Sequence, residues 1–555
     1  MMRMAWHPGR GDAVPMVIEG KDMPRGVTPF EEDLLTALDP SALALYRAGL
    51  AAALAEGTGV GRDRTAAFLR GQLRAWGIPT VVQRFDAQVS VPGAARLSLA
   101  RRAAPIAARA FPYSAPTPPD GLMAELRAVN AGDDALLTGT IALVDVPPTI
   151  ATIAGLAARG AVAQVYIGAG EALTTPLAAT DRWGEPAPTP IITIGRAAGE
   201  GFLALCAAGP TPVRLHAELA WTTRRLLLPV ATIEGADEPD SFVLVGAPGP
   251  STADGGEAAA CLLELCRIFA AHAGRLRRGI RFVWWPQGAT ALAGPLWYTD
   301  HAWTELRARA VGTLALTPEP PPGVAPVASW AEETLRAFAN RALDDGGWDT
   351  VDWSAAPPDG GEQGAFARLG LPVLRLPAAG HDRLDACVVP LARLCTAPLL
   401  PLDLLALSRA VAARVDAVAA DVPDVDLSAL RGRAEALVAA TERAQIALLH
   451  IAQADAPSYE EGLELGNRLL RRLGQVLLPT LRHAGDPYAL EAPGPDTYPL
   501  LPGLDAFLAR AESPAGGASH RDRGIRERNR AIDACDEALL AIDGALTTLR
   551  PLGFG

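Results

Sequence analysis

Large apolar residues recur at helical spacing in Thr65-Ala66-Ala67-Phe68-Leu69-Arg70-Gly71-Gln72-Leu73, which predicts an amphipathic helix inside a helical stretch from Asp39 to about Trp76. Gly77-Ile78-Pro79 stops that helix, and Thr80-Val81-Val82 leading to Phe85 reads as a strand. Between Ala94 and Trp221 the rhythm shortens. Apolar runs at 140–145, 162–167 and 190–194 are divided by turns rich in Pro and Gly, and two short Ala-rich helices are expected at 150–160 and 197–206. From Leu226 onward strands at 242–245, 280–285, 311–316 and 372–376 alternate with helices at 257–271, 294–309 and 329–343. Helices of this length between strands predict a sheet sandwiched between helical layers.

Past Pro401 the strand signals cease. Leu430, Ala434, Leu437, Thr441, Ala444, Leu448 and Ile451 step by four and three, as do Ile525, Asn529, Ile532, Cys535, Leu539, Ile542 and Leu546. Two such seams predict a helical bundle that buries them either against each other or across a dimer. The chain therefore divides into a lead-in arm (1–30), a first α/β part (31–93), an inserted α/β part (94–221), a second α/β part (222–402) and a helical part (403–555).

Composition narrows the class of protein. A chain of 555 residues predicts about three or four domains, and 49% hydrophobic against 20% charged residues, with a mean hydropathy of +0.16, supplies large cores and excludes wholesale disorder. Fifty basic against 62 acidic residues give a net charge of −12, which repels a polyphosphate, so nucleic acid is not an expected partner. Lys21 is the one lysine, which removes Schiff-base lysine chemistry and the phosphate-loop lysine from the body of the chain. No signal-like run opens the sequence, and the most apolar stretch, 399–420, carries Asp403, Arg409, Arg414 and Asp416. Neither export nor a membrane span is expected, and the cytoplasm is the default compartment. The six cysteines form no CxxC pair and read as buried reduced thiols.

Several residues are candidates for chemistry, each with a plainer alternative. Gly57, Gly59 and Gly61 have the wrong spacing for a dinucleotide fingerprint and follow no strand. There is no Gly-x-Ser-x-Gly elbow, and Cys387 and Cys395 have no basic partner beyond His381. His381, in Gly380-His381-Asp382-Arg383-Leu384-Asp385, is either a metal ligand or a surface histidine among acids. Asp254, ahead of Gly255-Gly256, is either part of an anion nest or an N-cap. Asp359 and Glu362 are either relocated acids or a solvated loop. Trp284-Trp285 and Trp297-Tyr298 either fill a core or line a pocket, and Asp300-His301 reads as structural.

Longer strings carry a resemblance. The segment 235–247, the strand Arg278-Gly279-Ile280-Arg281-Phe282-Val283-Trp284-Trp285, the stretch Phe366-Ala367-Arg368-Leu369-Gly370-Leu371-Pro372, and Asn467-Arg468-Leu469-Leu470 followed by Asp486-Pro487-Tyr488 all point the same way. From about Asp39 to the end the chain resembles the zinc-exopeptidase superfamily of aminopeptidases, in particular the glutamate carboxypeptidase II and transferrin receptor branch. The resemblance implies a zinc-exopeptidase-like mixed α/β sheet flanked by helices. It also implies a protease-associated-type apical domain at 94–221 and a helical dimerisation-like domain at 403–555.

Active members of that superfamily hold two zinc ions with five ligands and use one glutamate as the base for the bridging water. On this chain the histidine position is Pro248, the bridging aspartate is Asp254, the base is Gly288, the next ligand is Ala289, the acid after the third strand is Thr317, and the last histidine is His381. Two ligand positions, Asp254 and His381, keep a ligating side chain, and the base is missing. The resemblance thus implies a catalytically inactive relative that binds or scaffolds, without a cofactor, and forms a homodimer through its helical domain. The alternative is a metal-dependent aminopeptidase- or carboxypeptidase-type hydrolase with a rebuilt or single-metal zinc site. The protein or small-molecule ligand stays unidentified.

Overall fold

The computed structural model describes residues 26–554 apart from 56–59, 101–103, 130–134, 147, 149, 172, 174–186, 250–255, 287–292, 318–328, 349–350, 355–362, 379–380, 455–456, 484–499, 506 and 508–516. Three helices open it: α1 (Pro29–Thr36), α2 (Pro40–Leu54) and α3 (Val60–Ala75). Thr28 starts α1 with a capping box, its Oγ1 accepting from Glu31 N (3.2 Å) while the Glu31 carboxylate accepts from Thr28 N (2.8 Å). Asp39 caps α2, and its own N–H donates to the buried Glu264 carboxylate (2.8 Å), which fixes this helical lead-in to the body of the molecule.

The strands are β1 (Thr80–Leu99), β2 (Ile106–Ala110), β3 (Leu122–Val129), β4 (Thr140–Val144), β5 (Ala163–Ile167), β6 (Ile191–Ile194), β7 (Thr211–Ile233), β8 (Glu238–Pro248), β9 (Arg278–Trp285), β10 (Ala310–Thr317), β11 (Trp330–Ala331) and β12 (Val373–Pro377). They form one sheet in the order β1-β2-β6-β5-β4-β3-β7-β9-β8-β10-β12-β11, and β1 also pairs with β7. That extra pairing closes the first seven strands into a ring around Leu97, Leu126, Ile141, Val165, Ile192 and Leu215. The long β1–β7 ribbon carries the chain out of the main sheet and back, with a register irregularity between Pro92 and Ala95. Helices α4 (Ile150–Ala158) and α5 (Arg196–Ala208) belong to this ring.

In the other half, β9, β8, β10 and β12 run parallel, with β7 and the two-residue β11 antiparallel at either side. Both faces are covered, so β10 is buried throughout and mostly apolar rather than alternating. One face packs against α6 (Glu257–Ala271), α9 (Glu333–Asp345) and α11 (His381–Thr396) through Leu262, Phe269, Trp284, Phe338 and Leu391. The other packs against α7 (Ala293–His301), α8 (Trp303–Arg309) and α10 (Gln363–Ala367) through Phe242, Leu244, Trp285, Tyr298 and Phe366.

Among the described residues four long helices follow: α12 (Leu404–Asp421), α13 (Ser428–Gln453), α14 (Tyr459–Leu481) and α15 (Gly517–Leu549). Their apolar side chains join the core of the sheet's helical face in one continuous cluster. Arg278, fully buried at the start of β9, helps to fasten the two, donating to Ala397 O (2.5 Å) and Pro398 O (2.7 Å) and pairing with Glu238 (2.8 Å). The seam from Leu430 to Ile451 is buried within the chain.

The strands expected at 140–145, 162–167, 190–194, 242–245, 280–285, 311–316 and 372–376 are all present. Other segments differ. The helix expected at 294–309 is two, divided at Ala302, and that expected at 329–343 begins instead as β11 before α9. Helix α11 escapes the sequence pattern because Pro390 lies inside it. The second seam packs inward except at Asn529, which is exposed: Cys535 and Ile542 are buried, Ile525, Ile532, Leu539 and Leu546 pack partly buried against the core, and Ala531, Ala534 and Ala538 add a buried line beside them.

Candidate functional site

Ligands of α/β sheets bind outside the carboxyl ends of the strands, and the four parallel strands here end in register. Pro248 lies opposite Trp285, Ala315 opposite Gly246 and Thr317 opposite Pro377. Pro248 is the last residue of β8, partly exposed, and the following Gly249 N–H donates to Trp285 O (2.6 Å). Thr317 is the last residue of β10 and is buried; its Oγ1 donates to Leu376 O (3.3 Å), and its carbonyl accepts from Ala378 N (2.8 Å). The structure thus brings Pro248 and Thr317 to one edge of the sheet. Asp254, Gly288 and Ala289 lie outside the described residues, as do Asp359 and Glu362. His381 is the first residue of α11, with its side chain outside the described set.

The remaining acids nearby have other partners. Glu257 opens α6 and pairs with Arg47 (3.3 Å), and Asp385 accepts from Ala386 N (2.8 Å). Asp300 is held by the buried Arg368 (2.5 Å), while the exposed His301 ring sits 2.8 Å from Trp297 O through Nδ1. Cys387 and Cys395 are buried, and burial pushes both thiols well above their ordinary value, which disfavours the thiolate form.

Aromatic rings occupy the space under the edge. Trp284 and Trp285 are both buried, on opposite faces, and Trp284 Nε1 donates to Ala259 O (3.0 Å). The Trp285 indole packs against Tyr298 (5.7 Å between centroids) and Phe366 (6.0 Å), directly over Gly246, where an added Cβ would stand 2.5 Å from Nε1. Arg281 donates to the Tyr298 hydroxyl (3.2 Å), pairs with Glu305 (2.7 Å) and lies over the Phe242 ring (4.1 Å). Trp297 stacks between Phe85 (4.6 Å) and His301 (4.1 Å). Core filling is therefore the use of Trp284, Trp285 and Tyr298. The Trp285–Gly246 contact was missed in sequence, although small residues at Gly246 and Ala315 in otherwise large apolar strands are its signal.

Zinc, which the sequence resemblance implies for the active members of that superfamily, does not fit the described part of this edge. The proline side chain offers no ligating atom at position 248, and Thr317 offers a neutral hydroxyl, hydrogen-bonded to Leu376 O, where zinc takes a carboxylate, imidazole or thiolate. Among the described residues no three His, Cys, Asp or Glu side chains come together.

Comparison with solved structures places the architecture. An aminopeptidase from Aneurinibacillus sp. strain AM-1 superimposes with a TM-score of 0.50 at 15% identity, over 66% of this chain and 96% of that one. The chain has the aminopeptidase fold. A zinc aminopeptidase from Bacillus subtilis, BSAP, matches with a TM-score of 0.48 at 18% identity, over 64% of this chain and 94% of that one. A peptidase M28 precursor from Shewanella amazonensis SB2B gives a TM-score of 0.48 at 16% identity, over 66% and 94%. No family model matches the chain, and no curated protein matches its sequence. At such identities the likeness concerns the fold and leaves the chemistry to the residues. No helix among the described residues is long and apolar enough to cross a membrane.

Proposed function

We propose that this chain is a non-catalytic relative of the zinc exopeptidases, of the glutamate carboxypeptidase II and transferrin receptor kind, that acts as a cytoplasmic binding or scaffolding protein. The observation that carries the reading is the carboxyl edge itself. Pro248 and Thr317 stand at two ligand positions without the carboxylate or imidazole that zinc takes, and Trp285 packs over Gly246, two residues before Pro248. Hydrolysis by two zinc ions needs an acidified bridging water and a base to take its proton, and the base position is Gly288. In this reading residues 94–221 form a protease-associated-type apical domain, and residues 403–555 dimerise the protein with a second copy.

A metal-dependent hydrolase with a rebuilt or single-metal site is the second reading, favoured by the retention of Asp254 and His381. A panel of aminoacyl and acyl-glutamate substrates, assayed with and without added zinc, separates the two. The proposal expects no metal-dependent hydrolysis; turnover that is abolished by chelation and restored by zinc overturns it.

A further inference from the structure

The far edge of the sheet is closed by buried charges that the candidate site does not use. Strand β11 ends at Ala331 and α9 begins at Glu333, so Glu332 occupies the step between them, with its N–H on Val373 O (3.0 Å). Its side chain is 2% exposed. Arg482, which follows α14, reaches Glu332 Oε1 through Nε (2.9 Å) and Nη2 (2.5 Å), and the same guanidinium also pairs with Glu333. This cluster is where the end of α14 meets the sheet.

The charge balance there is uneven. Two adjacent carboxylates share one buried guanidinium. Arg336, further along α9, lies over the Trp353 ring (4.4 Å) and helps in part. Just past α14, burial together with Arg530, Arg368 and Arg482 holds the His483 ring neutral, and α14 itself brings Arg471 beside Thr334 of α9. Asp403, the N-cap of α12, accepts from Ala406 N (2.9 Å), and β12 contributes Arg375, in register with Trp330. A buried carboxylate without a full counter-charge takes up a proton rather than stay ionised. The start of α9 favours negative charge, but only weakly against burial. Burial first and the Glu333 charge next push Glu332 to about 8 against the pull of Arg482. Burial works the same way on Glu333, yet Arg482 and the hydrogen bond with Glu332 hold it below the usual carboxylate range.

We propose that Glu332 and Glu333 share a single proton in the native protein, and that losing it loosens the attachment of α14 to the sheet edge, so that this junction is a pH-sensitive latch. When the junction opens, both carboxyls become ordinary ones. The closed state then holds one more proton than the open state from the usual glutamate range, roughly 4.3, up to about 8. A raised acid stabilises the closed state fully below its ordinary value, and that contribution is lost as pH rises toward about 8. The opening equilibrium therefore grows about tenfold per pH unit across this window and levels off above it.

Hydrogen exchange on the full chain tests this, comparing amides of 475–482 with those of α13 in the same samples from about pH 6 to 9, after division by intrinsic rates. The expected result is about a tenfold loss of protection per pH unit at 475–482 below pH 8 and none of that dependence in Glu332→Gln, which keeps the shape of the protonated acid. Protection that is independent of pH in the native protein overturns the proposal, as does a Glu332→Gln variant that keeps the slope. Uniform loss of protection at every pH in that variant would mean an ionised Glu332 and overturns it too. Proton release on urea unfolding at about pH 7 gives a second readout: one proton fewer should be exchanged with solvent by the variant than by the native chain.

Discussion

Replacing Gly246 with alanine tests the packing that fills the carboxyl edge. The new Cβ would stand 2.5 Å from Trp285 Nε1, 2.9 Å from Cε2 and 3.0 Å from Cζ2, against a favourable carbon separation of about 3.5–4.0 Å. The indole would have to move by roughly 1 Å, and Tyr298 and Phe366, both buried, stand against it. Overpacking of this kind costs about 1–3 kcal/mol. At about 2–4 °C per kcal/mol for a domain of this size, the melting temperature should fall by roughly 2–12 °C. Scanning calorimetry reads the fall, and far-UV circular dichroism shows whether the fold is kept. Trp285→Phe should relieve the crowding, so the double variant should be less destabilised than the sum of the singles by about 1 kcal/mol or more. A Gly246→Ala protein as stable as the native one, or a strictly additive double variant, would refute the claim that Trp285 occupies the space over this strand.

Two further outcomes follow from buried groups. Arg278→Met leaves the Ala397 and Pro398 carbonyls and Glu238 without their donor and should cost about 3–5 kcal/mol in chemical denaturation; a loss below about 1 kcal/mol would remove Arg278 as the tie between sheet and helices. His483 is lowered to about 4 by burial and then by Arg530, Arg368 and Arg482, so the native state refuses a proton that the unfolded state accepts below about 6.5. Its contribution is present above about pH 6.5 and fades as pH falls toward 4, by roughly 3 kcal/mol, and His483→Gln should flatten that acid limb of the stability curve; an unchanged limb would show that other groups control it.

Much of the fold was legible because the sheet is covered on both faces. Strands such as Val311 to Leu316 are then runs without charge and nearly all apolar, and helices such as Glu257–Ala271 carry their pattern undisturbed. The strands β2 and β3 were not, because Arg109, Glu125 and Arg127 sit on an exposed face of short segments and dilute the signal. The additional buried line of α15 was hidden for a different reason: periodicity weighs large side chains, while Ala531, Ala534 and Ala538 are small. At the candidate site, the identity of Pro248 and Thr317 could be read directly. What could not be read was that the Thr317 hydroxyl turns back to Leu376 O and that Trp285 lies over Gly246, since both depend on register between strands far apart in sequence.

Metal content tests the central claim most directly. The full-length protein, purified without chelator and then offered zinc, manganese and cobalt, would be measured by mass spectrometry beside Asp254→Ala and His381→Ala. A non-catalytic relative should carry well under one equivalent of metal, unchanged in either variant. Near-stoichiometric metal that disappears when Asp254 or His381 is replaced would contradict the account and establish a working metal site that depends on that residue.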